Sequence, residues 1–258
     1  MKREQFRSIK KYLQRKIFAK LVPYETAIRR DYLERSHYAY CCLHSALLAK
    51  KLGIKEISAI EFGVAKGNGL LALEKICSDV TQITGIKFQI YGFDTGKGLP
   101  EPKSYKDLPY AWRLGDFAMD RYKLQQKLSA AKLILGDVKE TVNEFIKKYN
   151  PAPIGCMFHD LDFYSSTKDS FAFINQSNTS YFLPRVFNYF DDILGNELEL
   201  YSEFTGERLA IEEFNSENSV IKFAELKYLL SYSRTNMWYH QLRALHFFEH
   251  ALYNKYVG

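Results

Sequence analysis

The chain has 258 residues, of which 47% are hydrophobic and 26% charged, and its formal net charge is +6. This composition indicates a globular protein of one sizeable domain and excludes a disordered or low-complexity chain. No apolar run is long enough to cross a bilayer, and the first residues lack the apolar core of a signal peptide. The four cysteines form no CxxC pair. We therefore expect a cytoplasmic protein with reduced thiols and no transmembrane segment.

The first twenty residues carry eight Lys and Arg side chains against one acid, Glu4, with apolar residues at helical spacing between them. This pattern predicts a basic amphipathic helix. It would pack on its own domain or on a second copy of the chain, with a membrane surface or a nucleic acid as alternatives. No nucleic-acid-binding module is recognisable elsewhere. A second helical pattern ends at Gly53, so residues 1–53 are predicted to form a helical extension.

Strand and helix patterns alternate after residue 53. The strand candidates are residues 56–63, 87–94, 132–136, 153–160, 185–191, 219–226 and 241–248. The helix candidates are residues 68–80, 121–130, 139–149, 166–176 and 206–217. Strands separated by helices indicate a mainly parallel sheet that is covered on both faces. We expect a Rossmann-like α/β domain over residues 54–258, with a seven-stranded sheet.

A glycine-rich turn follows the first predicted strand, reading Glu-Phe-Gly-Val-Ala-Lys-Gly-Asn-Gly from Glu61 to Gly69. Glycine permits positive φ and the close approach of a ligand, and the N–H groups of the next helix point into such a turn. The turn predicts a nucleotide-type cofactor site. Ligands of such sheets bind beyond the carboxyl ends of the strands, so the residues that close each strand should form the site.

Acidic residues close the first three predicted strands and bear on the choice of cofactor. Asp94 is placed to accept hydrogen bonds from ribose hydroxyls, and Asp137 suits either an adenine amino group or a helix cap. Glu61 precedes the first glycine, where its charge would repel a pyrophosphate but attract a cation. These acids favour S-adenosylmethionine, which carries a sulfonium and no phosphate, over NAD(P).

Four more carboxylates follow the fourth and fifth predicted strands, namely Asp160, Asp162, Asp191 and Asp192. Like charges at one edge need a cation among them, and Mg²⁺ fits a set of oxygen ligands. A metal there would lower the pKa of an alcohol and fix its position for methyl transfer. The alternative is that Asp160 or Asp162 caps the following helix.

Three other features have less certain roles. His159 is the leading histidine for a general base, although strand alternation directs its side chain away from its neighbour Asp160. Tyr164 would contact either substrate or the next helix. Residues 98–120 form a long aromatic-rich loop, which predicts a lid or binding loop, or else a surface excursion. We predict no metal at the three C-terminal histidines, and expect there a final strand that crosses the edge of the sheet, with its aromatic residues in the core.

The glycine-rich turn resembles the first motif of class I S-adenosylmethionine-dependent methyltransferases. Gly92-Phe-Asp-Thr-Gly-Lys-Gly-Leu-Pro100 is similar to the Phe-Asp-Ser-Phe-x-Gly-Leu-Pro segment of the macrocin O-methyltransferase family. Further similar segments are Trp112-Arg-Leu-Gly-Asp-Phe117, Gly136-Asp-Val-Lys-Glu-Thr141, Asp160-Leu-Asp-Phe-Tyr-Ser-Ser-Thr167 and Asp191-Asp192, in the order of the family from about residue 56 to 217. Thr95-Gly96 replaces the usual Ser-Phe, which leaves the substrate class open.

The resemblance implies a Mg²⁺-dependent O-methyltransferase that acts on a hydroxyl of a sugar or a glycosylated small molecule. The implied cofactor contacts are Glu61, Gly63, Lys66, Gly67, Gly69, Asp94, Thr95, Gly136 and Asp137. The implied metal ligands are Asp160, Asp191 and Asp192, and the implied catalytic residues are His159 and Asp160. Two alternatives stay open: an NAD(P)-dependent Rossmann-type oxidoreductase, and a non-catalytic partner protein that keeps the fold. No nucleic-acid partner is implied, and a homo-oligomer could form through the N-terminal helices.

Overall fold

The computed structural model describes residues 17–234 and 236–258. Most of the predicted basic helix lies outside these ranges, and residues 17–21 at its end are helical. Its packing on the domain or on a second copy stays a prediction. None of the described helices is both long enough and apolar enough to span a membrane.

Seven strands form one sheet in the order β3-β2-β1-β4-β5-β7-β6. The strands are β1 Glu56–Phe62, β2 Lys87–Asp94, β3 Lys132–Leu135, β4 Ile154–His159, β5 Phe182–Phe190, β6 Ile221–Glu225 and β7 Leu242–Phe247. The first five strands pair in parallel, whereas β7 runs antiparallel to both β5 and β6. The predicted seven-stranded, mainly parallel sheet is therefore confirmed, but the final strand lies between β5 and β6 and not at the edge of the sheet.

The helices lie close to their predicted positions. They are α1 Tyr24–Arg29, α2 Ser36–Leu52, α3 Asn68–Thr84, α4 Arg121–Gln125, α5 Val138–Tyr149, α6 Tyr164–Ser170, α7 Ala172–Gln176, α8 Gly206–Glu217 and α9 Trp238–Gln241. Short 3₁₀ helices cover Tyr105–Asp107, Thr179–Tyr181, Asp191–Ile193 and Lys227–Ser231. The helix predicted over residues 166–176 is divided into α6 and α7 at Phe171, and the helix predicted over residues 121–130 ends at Gln125.

Helix α2 lies on one face of the sheet and ends at Gly53, whose φ of 82° is the left-handed stop expected from the sequence. Its Tyr38 and Ala46 are fully buried, and its Cys42 lies 3.9 Å from the sulfurs of both Cys77 and Cys156. All four cysteines are buried and free. The domain boundary at residue 53 stays a prediction, but α2 shares its core with the sheet.

Alternation along β4 separates the two faces of the sheet. Phe158 stacks on Tyr38 of α2 with ring centroids 4.0 Å apart. The next residue, His159, points to the opposite face and stacks on Phe190 at 4.4 Å. Aromatic rings of α7 and α8 complete the core on that side, where Phe173 is 2% and Phe214 4% exposed. The polar residues that follow β4 lie beyond both cores, at the edge of the sheet.

Candidate active site at the carboxyl edge of the sheet

A cavity of about 380 Å³ opens beyond the carboxyl ends of the parallel strands. Each of these strands contributes to its lining a residue at its end or directly after it, namely Gly63, Asp94, Gly136, Asp160 and Asp191. This is the edge at which open α/β sheets bind ligands. The cavity therefore collects the residues that the sequence places at strand ends.

Gly63 makes the turn after β1 and brings that strand end against the end of β4. Its φ is 83°, and a Cβ atom added to it would lie 1.8 Å from the carbonyl oxygen of Asp160. Any other residue would suffer both the left-handed strain and a backbone clash. The backbone N–H of Asp160 donates to the carbonyl of Phe62 at 2.9 Å, which fixes the two segments together. The need for glycine at this position is confirmed.

Asp94 closes β2 and braces the glycine-rich turn from inside the cavity. Its Oδ2 accepts from the backbone N–H groups of Val64 at 2.9 Å and Ala65 at 2.8 Å, and its Oδ1 accepts from Gly96 at 2.6 Å. Charge-assisted hydrogen bonds of this kind fix the shape of a loop strongly. The carboxylate therefore sets the position of the turn as well as lining the cavity.

Glu61 lies behind the turn rather than in the lining of the cavity. It is 2% exposed, and its Oε1 accepts from the hydroxyl of Tyr38 at 2.8 Å. Its Oε2 has no hydrogen-bond partner among the described residues. Burial raises the pKa of this carboxyl to about 8, against the opposing effects of Tyr38 and of the Arg35 charge.

Three other residues predicted to touch the cofactor also lie outside the lining. Lys66 is exposed to solvent. Gly67 lies against the side chain of Leu124, and Gly69 lies against the Glu61 carboxylate. Close packing between elements accounts for both glycines.

Thr95, Gly136 and Asp137, which were predicted to bind the cofactor, line the cavity. The Thr95 hydroxyl donates to the carbonyl of Gly98 at 2.8 Å. Asp137 accepts from the backbone N–H of Lys139 at 2.9 Å and so caps α5, which is one of its two predicted roles. Its second oxygen has no part in the cap and can serve a ligand.

Asp160, Asp191 and Asp192 meet in the lining of the same cavity. Each offers one carboxylate oxygen, and the three oxygens lie within 4.8 Å of one another. Burial, followed by the charge of Asp191, raises the pKa of Asp160 to about 7. The Tyr189 hydroxyl donates to Asp191, so the side chain of that acid is held in place. The predicted convergence of these strand-end acids is what the structure shows.

Asp162 belongs to the same acidic cluster and does not cap α6. It lines the cavity, and its backbone N–H donates to Asp192 at 2.8 Å from a left-handed conformation with φ of 58°. Burial and the charge of Asp160 raise its pKa to about 8. Asp107 instead accepts from the backbone N–H of Ser165 at the start of α6, at 2.8 Å. The helix-cap alternative for Asp160 and Asp162 is therefore wrong.

His159 was the predicted general base, and the structure corrects this role. Its side chain is fully buried between Phe62 and Phe190 and does not line the cavity. Its only hydrogen-bond partner among the described residues is Asn188, with His159 Nε2 and Asn188 Oδ1 3.4 Å apart. Burial lowers its pKa to about 3, so the ring is neutral at pH 7. A core histidine in this position has no access to an acceptor.

Glu207, at the start of α8, contributes a site residue that the sequence did not reveal. It is fully buried, and its Oε2 accepts from the backbone N–H of Asp192 at 3.0 Å. Burial and the neighbouring aspartates raise the pKa of this carboxyl well above its usual value. A glutamate in the first turn of a helix is common, so the only signal was its helical spacing to the apolar residues Ala210, Ile211 and Phe214.

Two loops border the mouth of the cavity. Residues 98–120 line it through Gly98, Leu99, Pro100, Lys103, Trp112 and Phe117, so the segment borders the site, and its role as a lid or binding loop stays a prediction. The Trp112 indole donates to the Tyr201 hydroxyl at 3.2 Å, and that hydroxyl donates to Asp192, also at 3.2 Å. The segment around Tyr201 was not singled out from the sequence. Tyr164 bonds to Glu213 of α8 at 2.5 Å, so it serves helix packing.

The fold of the chain is similar to those of two solved methyltransferases. The calicheamicin methyltransferase CalS11 aligns with 92% of this chain and 91% of its own, with a TM-score of 0.56 and 18% identity. The O-methyltransferase NovP aligns with 82% of this chain and 79% of its own, with a TM-score of 0.55 and 12% identity. The chain has the class I methyltransferase fold. No protein-family model and no curated protein sequence matches the chain. The fold predicted from the glycine-rich turn and the strand-end acids is thus confirmed.

Proposed function

We propose that this methyltransferase-fold protein is an S-adenosylmethionine-dependent O-methyltransferase that acts on a hydroxyl of a sugar or a glycosylated small molecule, with the help of Mg²⁺. One observation carries the proposal. The turn at Gly63 and the acid cluster of Asp160, Asp191 and Asp192 line one cavity, in which Gly63 lies against the backbone of Asp160. A methyl donor bound at the turn and an oxygen nucleophile bound at the acids would therefore be neighbours, as in-line displacement requires.

The charge of the cavity favours a cationic cofactor. Its acidic lining residues are Asp94, Asp137, Asp160, Asp162, Asp169, Asp191, Asp192 and Glu199, and Lys103 is the basic one among the described residues. Lys103 also pairs with Asp169, their charged atoms being 3.5 Å apart. A pyrophosphate would be repelled by this field, whereas a sulfonium is attracted by it. This supports S-adenosylmethionine over NAD(P).

The acid cluster has the chemistry of a Mg²⁺ site. All of its donors are carboxylate oxygens, which hard divalent cations prefer, and their spacing allows one ion to contact all three. Burial, and after it the charge of Asp191, raises the pKa of Asp160, and a bound cation would offset both effects. When bound, Mg²⁺ supplies positive charge that makes an acceptor hydroxyl more acidic. Asp160, Asp191 and Asp192 are the proposed ligands.

The chain's own residues supply orientation and proton transfer. Asp94 and the turn at Gly63 hold the cofactor end of the cavity in shape. Trp112 lines the cavity, and Tyr201 links its indole to the Asp192 carboxylate. Of the two residues predicted to be catalytic, only Asp160 lines the cavity. We assign to it the acceptance of the hydroxyl proton, because its carboxylate faces the place where the acceptor must lie.

Calorimetric titration separates this proposal from its alternatives. We expect S-adenosylhomocysteine to bind and NADH not to bind; the reverse result would identify an oxidoreductase. Asp94→Ala should weaken S-adenosylhomocysteine binding by about tenfold or more, since it removes the brace of the turn. Asp79→Ala on the exposed side of α3 is the matched control and should change nothing.

Transfer of a labelled methyl group onto a pool of extracted metabolites tests the activity itself. Binding of S-adenosylhomocysteine without any transfer would favour the non-catalytic partner. For the metal, we expect Mn²⁺ to bind in place of Mg²⁺ and Asp191→Asn to weaken this binding about tenfold or more, with S-adenosylhomocysteine binding retained. Unchanged Mn²⁺ binding in this variant would exclude the proposed ligands.

A further inference from the structure

A second cavity, of about 200 Å³, lies on the same edge of the sheet as the candidate active site. We call it the basic pocket, defined by Arg208 of α8, Lys227, His240 of α9 and Arg243 of β7. Strand β6 ends beside it at Glu225 and β7 begins beside it at Leu242, because β7 runs antiparallel to its neighbours. The basic pocket is thus open at the carboxyl edge, where ligands of this fold bind.

The basic pocket adjoins the cavity of the acid cluster. Leu194 lines both cavities, and Ile193, which lines the basic pocket, directly follows Asp192. Gln241 donates from its Nε2 to the carbonyl oxygen of Asp191 at 2.7 Å and ties α9 to the same turn. A single short turn therefore separates the acids from the basic side chains, and one small molecule can contact both.

The charges of the basic pocket are only partly compensated. Glu225 is the single acid in its lining among the described residues. The Arg243 side chain is 13% exposed and donates to the carbonyls of His240 at 2.6 Å and Leu242 at 2.9 Å, while its ion pair with Glu225 spans 3.5 Å. Burial lowers the pKa of Arg243, and the charge of Arg208 adds to this effect. Arg208 also has a carboxylate partner, Glu203, at 3.7 Å, so both arginine ion pairs are long. Lys227 forms no ion pair with any described residue, and these three cationic side chains line one space.

We propose that the basic pocket binds a phosphate group of the methyl acceptor, so that the acceptor is a phosphorylated sugar. This inference rests on the proposed function. The acidic cavity would repel a phosphate, whereas guanidinium groups bind phosphate oxygens through paired, charge-assisted hydrogen bonds. If the phosphate binds next to Leu194, the sugar of the same molecule can extend past this turn to Asp191 and Asp160. The phosphate belongs either to a sugar phosphate or to a nucleoside diphosphate sugar.

Calorimetric titration with inorganic pyrophosphate tests the basic pocket directly. EDTA in the buffer removes divalent cations, which could otherwise bind pyrophosphate and the acid cluster at the same time. We expect saturable binding that is weakened about tenfold or more in Arg208→Gln and in Lys227→Gln, the loss that corresponds to one charge-assisted contact. Lys75→Gln, which removes an exposed lysine of α3, is the matched control and should bind as the unchanged protein does.

Absence of pyrophosphate binding, or equal affinities in all variants, would overturn the proposal. The variant Arg243→Gln requires a measurement of its melting temperature, because this arginine also donates to the His240 carbonyl and its loss could unfold the protein. Uridine diphosphate distinguishes the two sources of the phosphate. An affinity about tenfold above that of pyrophosphate indicates a nucleotide sugar, and equal affinities indicate a sugar phosphate. Titration of S-adenosylhomocysteine with the same samples reports separately on the proposed function.

Discussion

Asp160 and His159 are neighbours in the chain, yet they have different environments. Asp160 follows the last strand residue and lines the cavity, while His159 is stacked between two phenylalanines in the core. Strand alternation sends consecutive side chains to opposite faces, and the strand ends between these two residues. Only Asp160 can therefore contact a substrate, although the two residues are adjacent in the chain.

Replacement of His159 by Phe should preserve methyl transfer. The aromatic ring keeps its stacking partners, and the loss of the weak bond to Asn188 should change the free energy of unfolding by less than about 2 kcal/mol. Turnover measured with labelled donor should stay within about threefold of the unchanged protein. Asp160→Asn, the adjacent control, should lower it about a hundredfold or more. A large loss in the His159 variant, with S-adenosylhomocysteine binding intact, would restore the histidine as a catalytic residue.

Glu61 should make the stability of the protein depend on pH. Its pKa in the folded state is about 8, well above that of an exposed glutamate, because the charged form loses its hydration on burial. Between these two values the folded state holds a proton that the unfolded state has released. Stability contributed by the protonated form is therefore lost as pH rises from about 4.5 through 8.

The substitution Glu61→Gln isolates this effect. The neutral amide keeps an acceptor for the Tyr38 hydroxyl and removes the buried charge. Relative to the unchanged protein, the variant should gain about 3 kcal/mol in free energy of unfolding between pH 5 and pH 8. Urea denaturation at both pH values, with EDTA present, measures this difference. A gain that is the same at both pH values would show that the Glu61 carboxyl does not titrate in this range.

The loop of residues 98–120 contributes six residues to the lining of the cavity. Two backbone hydrogen bonds close its base, from Leu99 to Asp116 at 2.8 Å and from Gly115 to Leu99 at 2.9 Å. Gly98 lies at this base with φ of 87°, and an added Cβ atom would be 2.4 Å from the carbonyl oxygen of Asp116. The loop therefore depends on a glycine to stay closed over the site.

Gly98→Ala should open this loop without unfolding the domain. The clash with the Asp116 carbonyl forces the base apart, so we expect faster proteolytic cleavage within residues 99–116 and weaker acceptor binding. Gly85→Ala is the matched control, because Gly85 has a similar φ of 79° and no atom within 4 Å of the added Cβ. Its cost of about 1 kcal/mol should leave the loop protected. Equal cleavage patterns in both variants would contradict the assigned role of Gly98.

The strand boundaries were largely predictable from the sequence. Periodicity predicted each strand to within three residues at either end, because strands buried on both faces are continuous apolar runs bounded by polar turns. Helix ends were less predictable. The division at Phe171 and the short α4 reflect packing against neighbouring elements, which local pattern does not encode. The 3₁₀ turn at Asp191–Ile193 was likewise invisible, although it places two of the three clustered acids.

At the scale of the whole molecule, the acid cluster should couple metal binding to stability and pH. Burial raises the pKa of Asp160 and of Asp162, so each favours its protonated form when folded. Without a cation, stability therefore falls as pH rises from about 4 toward 8. A divalent cation opposes this loss, because it binds the ionised form and only the folded state presents the cluster.

Addition of saturating MgCl₂ should accordingly raise the melting temperature more at pH 8 than at pH 6, where protons compete for the same oxygens. We expect a rise of about 5 °C at pH 8. NaCl at matched ionic strength is the control, and Asp191→Asn should remove most of the effect. The same rise in the variant would indicate that Mg²⁺ acts elsewhere on the protein.

The sequence by itself determined the fold class, the glycine-rich turn and the residues that close the strands, because these depend on local periodicity and on chain order. It did not determine which polar residues face the cavity. Tertiary packing placed His159 in the core, moved Glu61 behind the turn and brought Glu207 and Tyr201 onto Asp192. It also set the basic pocket beside the acid cluster. These outcomes depend on contacts between residues far apart in the chain, and such contacts are decided only when the sheet and its loops assemble.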